Sequence, residues 1–224
     1  MFDVIWQNES VLVVHKHAGI DFHTDNAVPG LFQSVKANLG LDELYPVHRL
    51  DKVTSGLLVM AKTQMANREL CRQFAQGEVE KVYLALSRKK PLKKQGRIVG
   101  DMAPARRGAW KLLRSTDNAA RTAYLSRSLA PGIRLQCVKP KTGKTHQIRV
   151  AMKSIGAPII GDTLYGAEPA DRVYLHAYQL AFELAGESHF FRCLPQSGQL
   201  FLGEACLRVL EEIGEAGNLL WPSC

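Results

Sequence analysis

The segment His48-Arg49-Leu50-Asp51-Lys52-Val53-Thr54-Ser55 places a carboxylate between two cations and then runs straight into the apolar stretch Gly56-Leu57-Leu58-Val59-Met60-Ala61, closed by Lys62. An apolar, β-competent run with a single glycine reads as a buried strand. A carboxylate held between Arg49 and Lys52 at the mouth of such a strand has few purely structural explanations. The ordinary one is an Asp that pairs with Arg49 on the surface, an arrangement that stabilises a protein very little. Two other stretches carry chemistry-bearing side chains: Lys81-Val82-Tyr83-Leu84-Ala85, and Lys141-Thr142-Gly143-Lys144-Thr145-His146-Gln147-Ile148-Arg149-Val150.

Two nucleotide-binding readings fail on spacing. Gly143-Lys144-Thr145 imitates the end of a P-loop, but the glycine required five places earlier is Val138. His48-Arg49-Leu50-Asp51 has the wrong order for a kinase catalytic loop, and no Gly-rich loop or Asp-Phe-Gly accompanies it. His15, His17 and His23 suggest a metal, but no fourth ligand has suitable spacing, so no metal is expected.

Taken together, these stretches resemble the RluA-type RNA pseudouridine synthases. The resemblance rests on His-Arg-Leu-Asp-x-x-Thr-Ser-Gly-Leu-Leu-x-x-Ala-Lys, on the 141–150 block, and on Gly156-Ala157-Pro158-Ile159-Ile160-Gly161-Asp162 and Leu164-Tyr165-Gly166 in register with it. Matching pieces run from about Lys16 to about Phe182. The resemblance implies that Asp51 is the nucleophile, that Arg149 is its guanidinium partner, and that Tyr83 lies against the uracil and serves as a candidate base for late proton removal. Ile148 and Leu175 would wall the base, Arg49 would fill the space that a flipped nucleotide vacates, and His48 would support the loop. Lys144 would bind phosphate. The reaction exchanges a C–N for a C–C glycosidic bond within one nucleotide, so no cofactor is expected. Asp51 could attack C1′, add to the uracil ring, or open a glycal route; the residues do not choose. The sequence departs from the family at His17, where Pro is usual, and at Ala151, often His; no S4 module is expected ahead of the catalytic region.

The elements that must position these groups follow from periodicity and punctuation. Strands are expected over 4–7 and 11–15, a polar loop over 25–30, and a short helix over 31–39. Thr63 caps a helix that Gly77 ends. Strands follow over 81–87, 110–114, 120–128 and 133–138, with a tight turn at 141–144. A helix over 147–155, strands over 173–183 and 189–194, and a helix over 204–213 complete the order. Arg88 to Gly108 is basic, rich in Gly and Pro, and without apolar period, so it reads as a loop or irregular hairpin that grips RNA. The mixed order predicts an α+β fold, a central mixed, mostly antiparallel sheet flanked by helices, in a single domain over 1–224.

The 224 residues carry a net charge of +8, unevenly spread. From Lys81 to Arg149 there are 18 basic and 2 acidic residues, a balance of +16; with 29 basic and 21 acidic residues in all, the remainder holds 11 and 19, a balance of −8. Such a bias favours a polyanion, because each neutralised phosphate releases counterions. RNA is the expected partner, ribosomal in preference to transfer RNA, bound by a monomer. No run of 18 apolar residues and no secretory signal is present, and the five cysteines are scattered, which points to reduced thiols in a cytoplasm.

Overall fold

A computed structural model describes residues 1–24, 28–215 and 219–222. In chain order the elements are β1 (Phe2–Gln7), β2 (Val11–Lys16), α1 (Leu31–Asn38), β3 (Tyr45–Pro46), β4 (Ser55–Ala61), α2 (Gln64–Gln76), β5 (Glu80–Ser87), β6 (Gln95–Gly100), β7 (Met102–Pro104), β8 (Trp110–Leu112), β9 (Ala120–Ala130), β10 (Ile133–Pro140), α3 (Gln147–Ser154), β11 (Leu175–Leu184), β12 (Glu187–Arg192), α4 (Gln199–Leu202) and α5 (Glu204–Ile213). The fold is α+β, with a mixed, mostly antiparallel sheet. The chain divides into two compact units, residues 1–80 with 177–194, and residues 81–176 with 195–224.

In the first unit β2 pairs antiparallel with both β1 and β4. Every residue of β2 and β4 is buried, as the unbroken apolar runs require of strands covered on both faces. Gly56 sits in β4 with φ +110°, and a Cβ there would lie 2.2 Å from the Ala177 carbonyl oxygen, so glycine lets β11 approach. Val11, Val13, Leu57, Val59 and Leu70 form the centre of this unit's core. Helix α2 begins at Thr63, whose hydroxyl accepts the Ala66 N–H at 3.2 Å, and ends at Gly77 with φ 67°. Its Gln73 pairs like a strand residue with Glu183, donating to the carbonyl (2.6 Å) and accepting the N–H (3.2 Å).

The second unit is built on β10, which pairs antiparallel with β5 on one side and β9 on the other. The segment expected as a loop or irregular hairpin contains real strand: β6 pairs along β9 from Gln95 to Gly100, and β7 and β8 form a small ribbon. Only Ile98 and Gly100 of β6 are buried, so the segment has no apolar alternation to betray it. Arg88, Lys89, Lys90, Lys93, Lys94, Arg97, Arg106 and Arg107 are all exposed. Helix α5 buries Cys206, Leu210 and Ile213 at helical spacing. The four-residue α4 was not anticipated, since it is too short to show a period.

The loop expected over 25–30 and the tail from Leu200 lie partly outside the described residues. Cys71, Cys137, Cys193 and Cys206 carry free thiols. Among the described residues no helix is long and apolar enough to cross a membrane.

Candidate active site

Asp51 opens a turn closed by the Thr54 N–H, which donates to the Asp51 carbonyl at 3.0 Å. This turn leads directly into β4, a strand buried along its whole length. A second support comes from the end of β2. Lys16 is fully buried, and its ammonium donates to the carbonyls of His17 (3.0 Å), Ile20 (2.7 Å) and Lys52 (3.2 Å). The Gly19 N–H donates to the same Lys52 carbonyl at 2.8 Å. A buried ammonium is tolerated only when its protons are taken up by acceptors, and here the acceptors are two carbonyls of the 17–20 segment and one of the Asp51 turn. Lys52 pairs with Asp21 at 2.6 Å. Asp51 is half-buried and Arg49 exposed on this loop.

His48 is fixed on two sides. Its Nε2 accepts the Val59 N–H at 3.2 Å, and its ring stacks on Phe74 of α2 with centroids 4.4 Å apart. The short β3 pairs with β4 only at Tyr45 and Pro46, and the imidazole takes over where that ladder stops.

In the second unit Arg149, on α3, forms a bidentate pair with Asp162: Nε to Oδ2 is 2.7 Å and Nη2 to Oδ1 is 2.9 Å. Both side chains are buried, at 7% and 2% exposure, so the pair is a low-dielectric fork and not a surface contact. The guanidinium also lies over the Tyr165 ring, 5.0 Å from its centroid. Tyr165 is anchored in turn: its hydroxyl accepts the Trp110 N–H at 3.0 Å and sits 2.8 Å from His146 Nδ1. Gly161 aims Asp162. It has φ +84°, and a Cβ would meet the Arg172 carbonyl oxygen at 2.0 Å.

The turn before α3 is clamped by Gln147. Its side-chain nitrogen donates to Thr122 Oγ1 (3.0 Å) and the Arg121 carbonyl (3.1 Å), while its oxygen accepts from the Thr142 hydroxyl (2.8 Å) and the Lys144 N–H (2.9 Å). His146 enters the helix with φ 56°, a left-handed conformation that few non-glycine residues adopt. Lys144 is half-buried, and its ammonium donates to Asn118 Oδ1 at 2.7 Å. Beside it a pocket of about 360 Å³ is lined by Asp101, Met102, Trp110, Asn118, Gly143, Lys144 and Thr145. The Ser115 hydroxyl, and the Asn118 and Asp117 N–H groups, hold the Asp101 carboxyl below its usual range, against some desolvation.

Tyr83 lies on β5 opposite Val138 of β10 and is half-buried. Lys81, two residues earlier on the same face, is buried; desolvation first, and the Lys141 charge second, lower its ammonium to about 8. Ile148 and Leu175 are both buried, at the start of α3 and of β11. The first unit therefore groups His48, Arg49 and Asp51 on one loop. The second carries Tyr83, Lys144, Ile148, Arg149 and Leu175.

Four supporting residues went unassigned in the sequence: Lys16, Gln147, Asp162 and Tyr165. Gln147, Asp162 and Tyr165 stand inside the motifs and Lys16 at the start of the matching region, but a motif does not say which member grips which.

An aspartate on a turn that leads into a buried strand, a forked arginine and a basic segment are features that suit an enzyme acting on a polyanion. The chain belongs to the RNA pseudouridylate synthase family, which it matches over residues 10–154. It is an isomerase that converts uridine to pseudouridine in RNA. It is 48% identical over 202 residues to an uncharacterized RNA pseudouridine synthase of Haemophilus influenzae, covering 89% of this chain and 90% of that one. It is 31% identical over 216 residues to ribosomal large subunit pseudouridine synthase D of Borreliella burgdorferi, covering 89% of this chain and 66% of that one. The structure of human RNA pseudouridylate synthase domain containing 1 superposes with a TM-score of 0.74 at 23% identity, over 92% of this chain and 87% of that one, which shows the shared fold.

Proposed function

We propose that the chain isomerises uridine in structured ribosomal RNA, with Asp51 as nucleophile and the target base flipped out of its stack. The support for Asp51 is its setting: the main chain of its turn is bonded to Thr54, Gly19 and the buried ammonium of Lys16. A reacting group gains most when its position is fixed before substrate arrives. In the reaction the C1′–N1 bond breaks and C1′–C5 forms; C5 loses its hydrogen as a proton and N1 gains one. No net oxidation occurs, and no cofactor is needed.

Arg149, held by Asp162, supplies the guanidinium that stabilises the carboxylate, and Tyr83 packs by the uracil and assists the late proton removal. Ile148 and Leu175 form apolar walls for the base. Flipping costs a few kcal/mol of unstacking, which Arg49 offsets by occupying the vacated space. Lys144 and the exposed cations over 88–107 hold phosphates. Preference for ribosomal RNA draws on the ribosomal relative from Borreliella burgdorferi. The protein acts as a monomer in the cytoplasm. Transfer RNA is the second reading.

The test is tritium release from RNA labelled at uridine C5, prepared from a strain lacking the gene and fractionated into ribosomal and transfer RNA. Release from the ribosomal fraction supports the proposal. Release confined to transfer RNA replaces the substrate, and release from neither overturns the substrate assignment.

A further inference from the structure

The antiparallel pairing of β1 with β2 sets Asp3 directly opposite His15. Opposed residues of a ladder share a face, and so do residues two apart on one strand. His17, just past the end of β2, follows His15 by two. Three metal-competent side chains thus come to one face: Asp3 Oδ2 lies 3.3 Å from His15 Nδ1 and 2.9 Å from His17 Nε2. All three ligand atoms fall within 4.8 Å of one another, the one such group among the described residues. His23, the third histidine of the sequence pattern, is not a member; its ring packs edge-on against Phe22.

We propose that Asp3, His15 and His17 form a binding site for one divalent transition-metal ion, of which zinc is the type. Two imidazoles and a carboxylate are the donor set that suits zinc, cobalt and nickel, and three protein ligands with a solvent-filled fourth position are a common arrangement. A tetrahedral ion with bonds of about 2.0–2.1 Å separates its ligand atoms by about 3.3 Å. The Asp3–His15 separation already matches this value, the Asp3–His17 separation needs a slight opening, and the two imidazole nitrogens lie within 4.8 Å of each other.

Exposure suits a site that takes its ion from solvent. The His15 side chain is 3% exposed and makes the fixed wall, whereas His17 and Asp3 are 42% and 49% exposed and can close on the ion. The spacing of the histidines alone conceals the site, because the third ligand comes from a different strand.

The ion would straddle Lys16, which lies between the two histidines and ties the 16–20 segment to the Lys52 carbonyl. Its role is structural. It staples the first strand to the segment that supports the Asp51 turn, and it stands apart from the isomerisation chemistry.

The experiment uses the full chain without a histidine tag, stripped with a chelator and titrated with zinc by calorimetry and with cobalt(II) by visible absorption. One ion per chain is expected. His17→Ala and Asp3→Asn, both at exposed positions, should each weaken zinc binding at least tenfold. Zinc at about a hundred times the wild-type Kd should raise the wild-type melting temperature by roughly 5 °C and that of either variant by no more than about half as much. No stoichiometric binding by the wild type would overturn the proposal, and the three groups would then be hydrogen-bonded partners only. Wild-type affinity in both variants would also overturn it, by placing the ion elsewhere. Melting curves of the metal-free variants separate lost binding from lost folding.

Discussion

The Asp51 turn and the Arg149 fork are held by different means. Support reaches the Asp51 turn through its main chain, from Thr54, Gly19 and Lys16. Arg149 is gripped through its own guanidinium, by Asp162 and the Tyr165 ring. A turn held by its backbone keeps its shape whichever side chain it carries. A side chain held by a buried counter-charge is inseparable from the stability of its unit. Chemistry and stability should therefore respond separately at position 51 and together at position 162.

The largest expected effect is at Asp162. Asp162→Ala removes one member of a buried pair, which costs about 3–5 kcal/mol. Urea unfolding measures this, and a loss below about 1 kcal/mol would break the comparison. Lys16→Met comes next. Three carbonyls lose a charged donor, and net losses of about 1–3 kcal/mol attend each unsatisfied buried group, partly recovered by repacking. A total of about 3 kcal/mol is expected, with turnover falling because the Lys52 carbonyl is released.

Lys81 gives a smaller effect with a definite sign. Its ammonium is lowered to about 8 from 10.5, so between those values the unfolded chain binds more protons and stability rises with pH. Unfolding of wild type against Lys81→Met should shift in favour of the wild type by roughly 2 kcal/mol from about pH 7.5 to about pH 10.5. A pH-independent difference would contradict the burial. The smallest effect belongs to single arm cations. Arg97→Ala should lower the slope of log affinity against log salt by about 1 or less and leave the bound-state rate untouched.

Local signals in the sequence carried over to the structure most faithfully. Thr63 and Gly77 bound α2 because a hydroxyl cap and a left-handed glycine act within one turn. The uniform burial of β4 follows from its apolar run. What escaped depends on partners distant in sequence. Strand β6 exists because β9 lies alongside it, although only Ile98 and Gly100 of its own residues are buried. Basic residues on an edge strand also discourage unwanted pairing, which makes such a strand look like a loop. Lys16 and Lys81 are buried lysines, and composition places lysines at the surface. Asp162 was visible as a motif residue, but its grip on Arg149 depends on the turn at Gly161. Asp3 joined the histidines only through the β1–β2 register.

The most direct test of Asp51 as nucleophile is single-turnover tritium release, with RNA affinity measured on the same preparations, for wild type and Asp51→Asn. The expected result is loss of turnover by at least a thousandfold, with RNA affinity within about threefold of wild type and an unfolding midpoint unchanged within about 0.5 kcal/mol. Turnover retained within tenfold by a folded Asp51→Asn would contradict the assignment and move the nucleophile to another side chain.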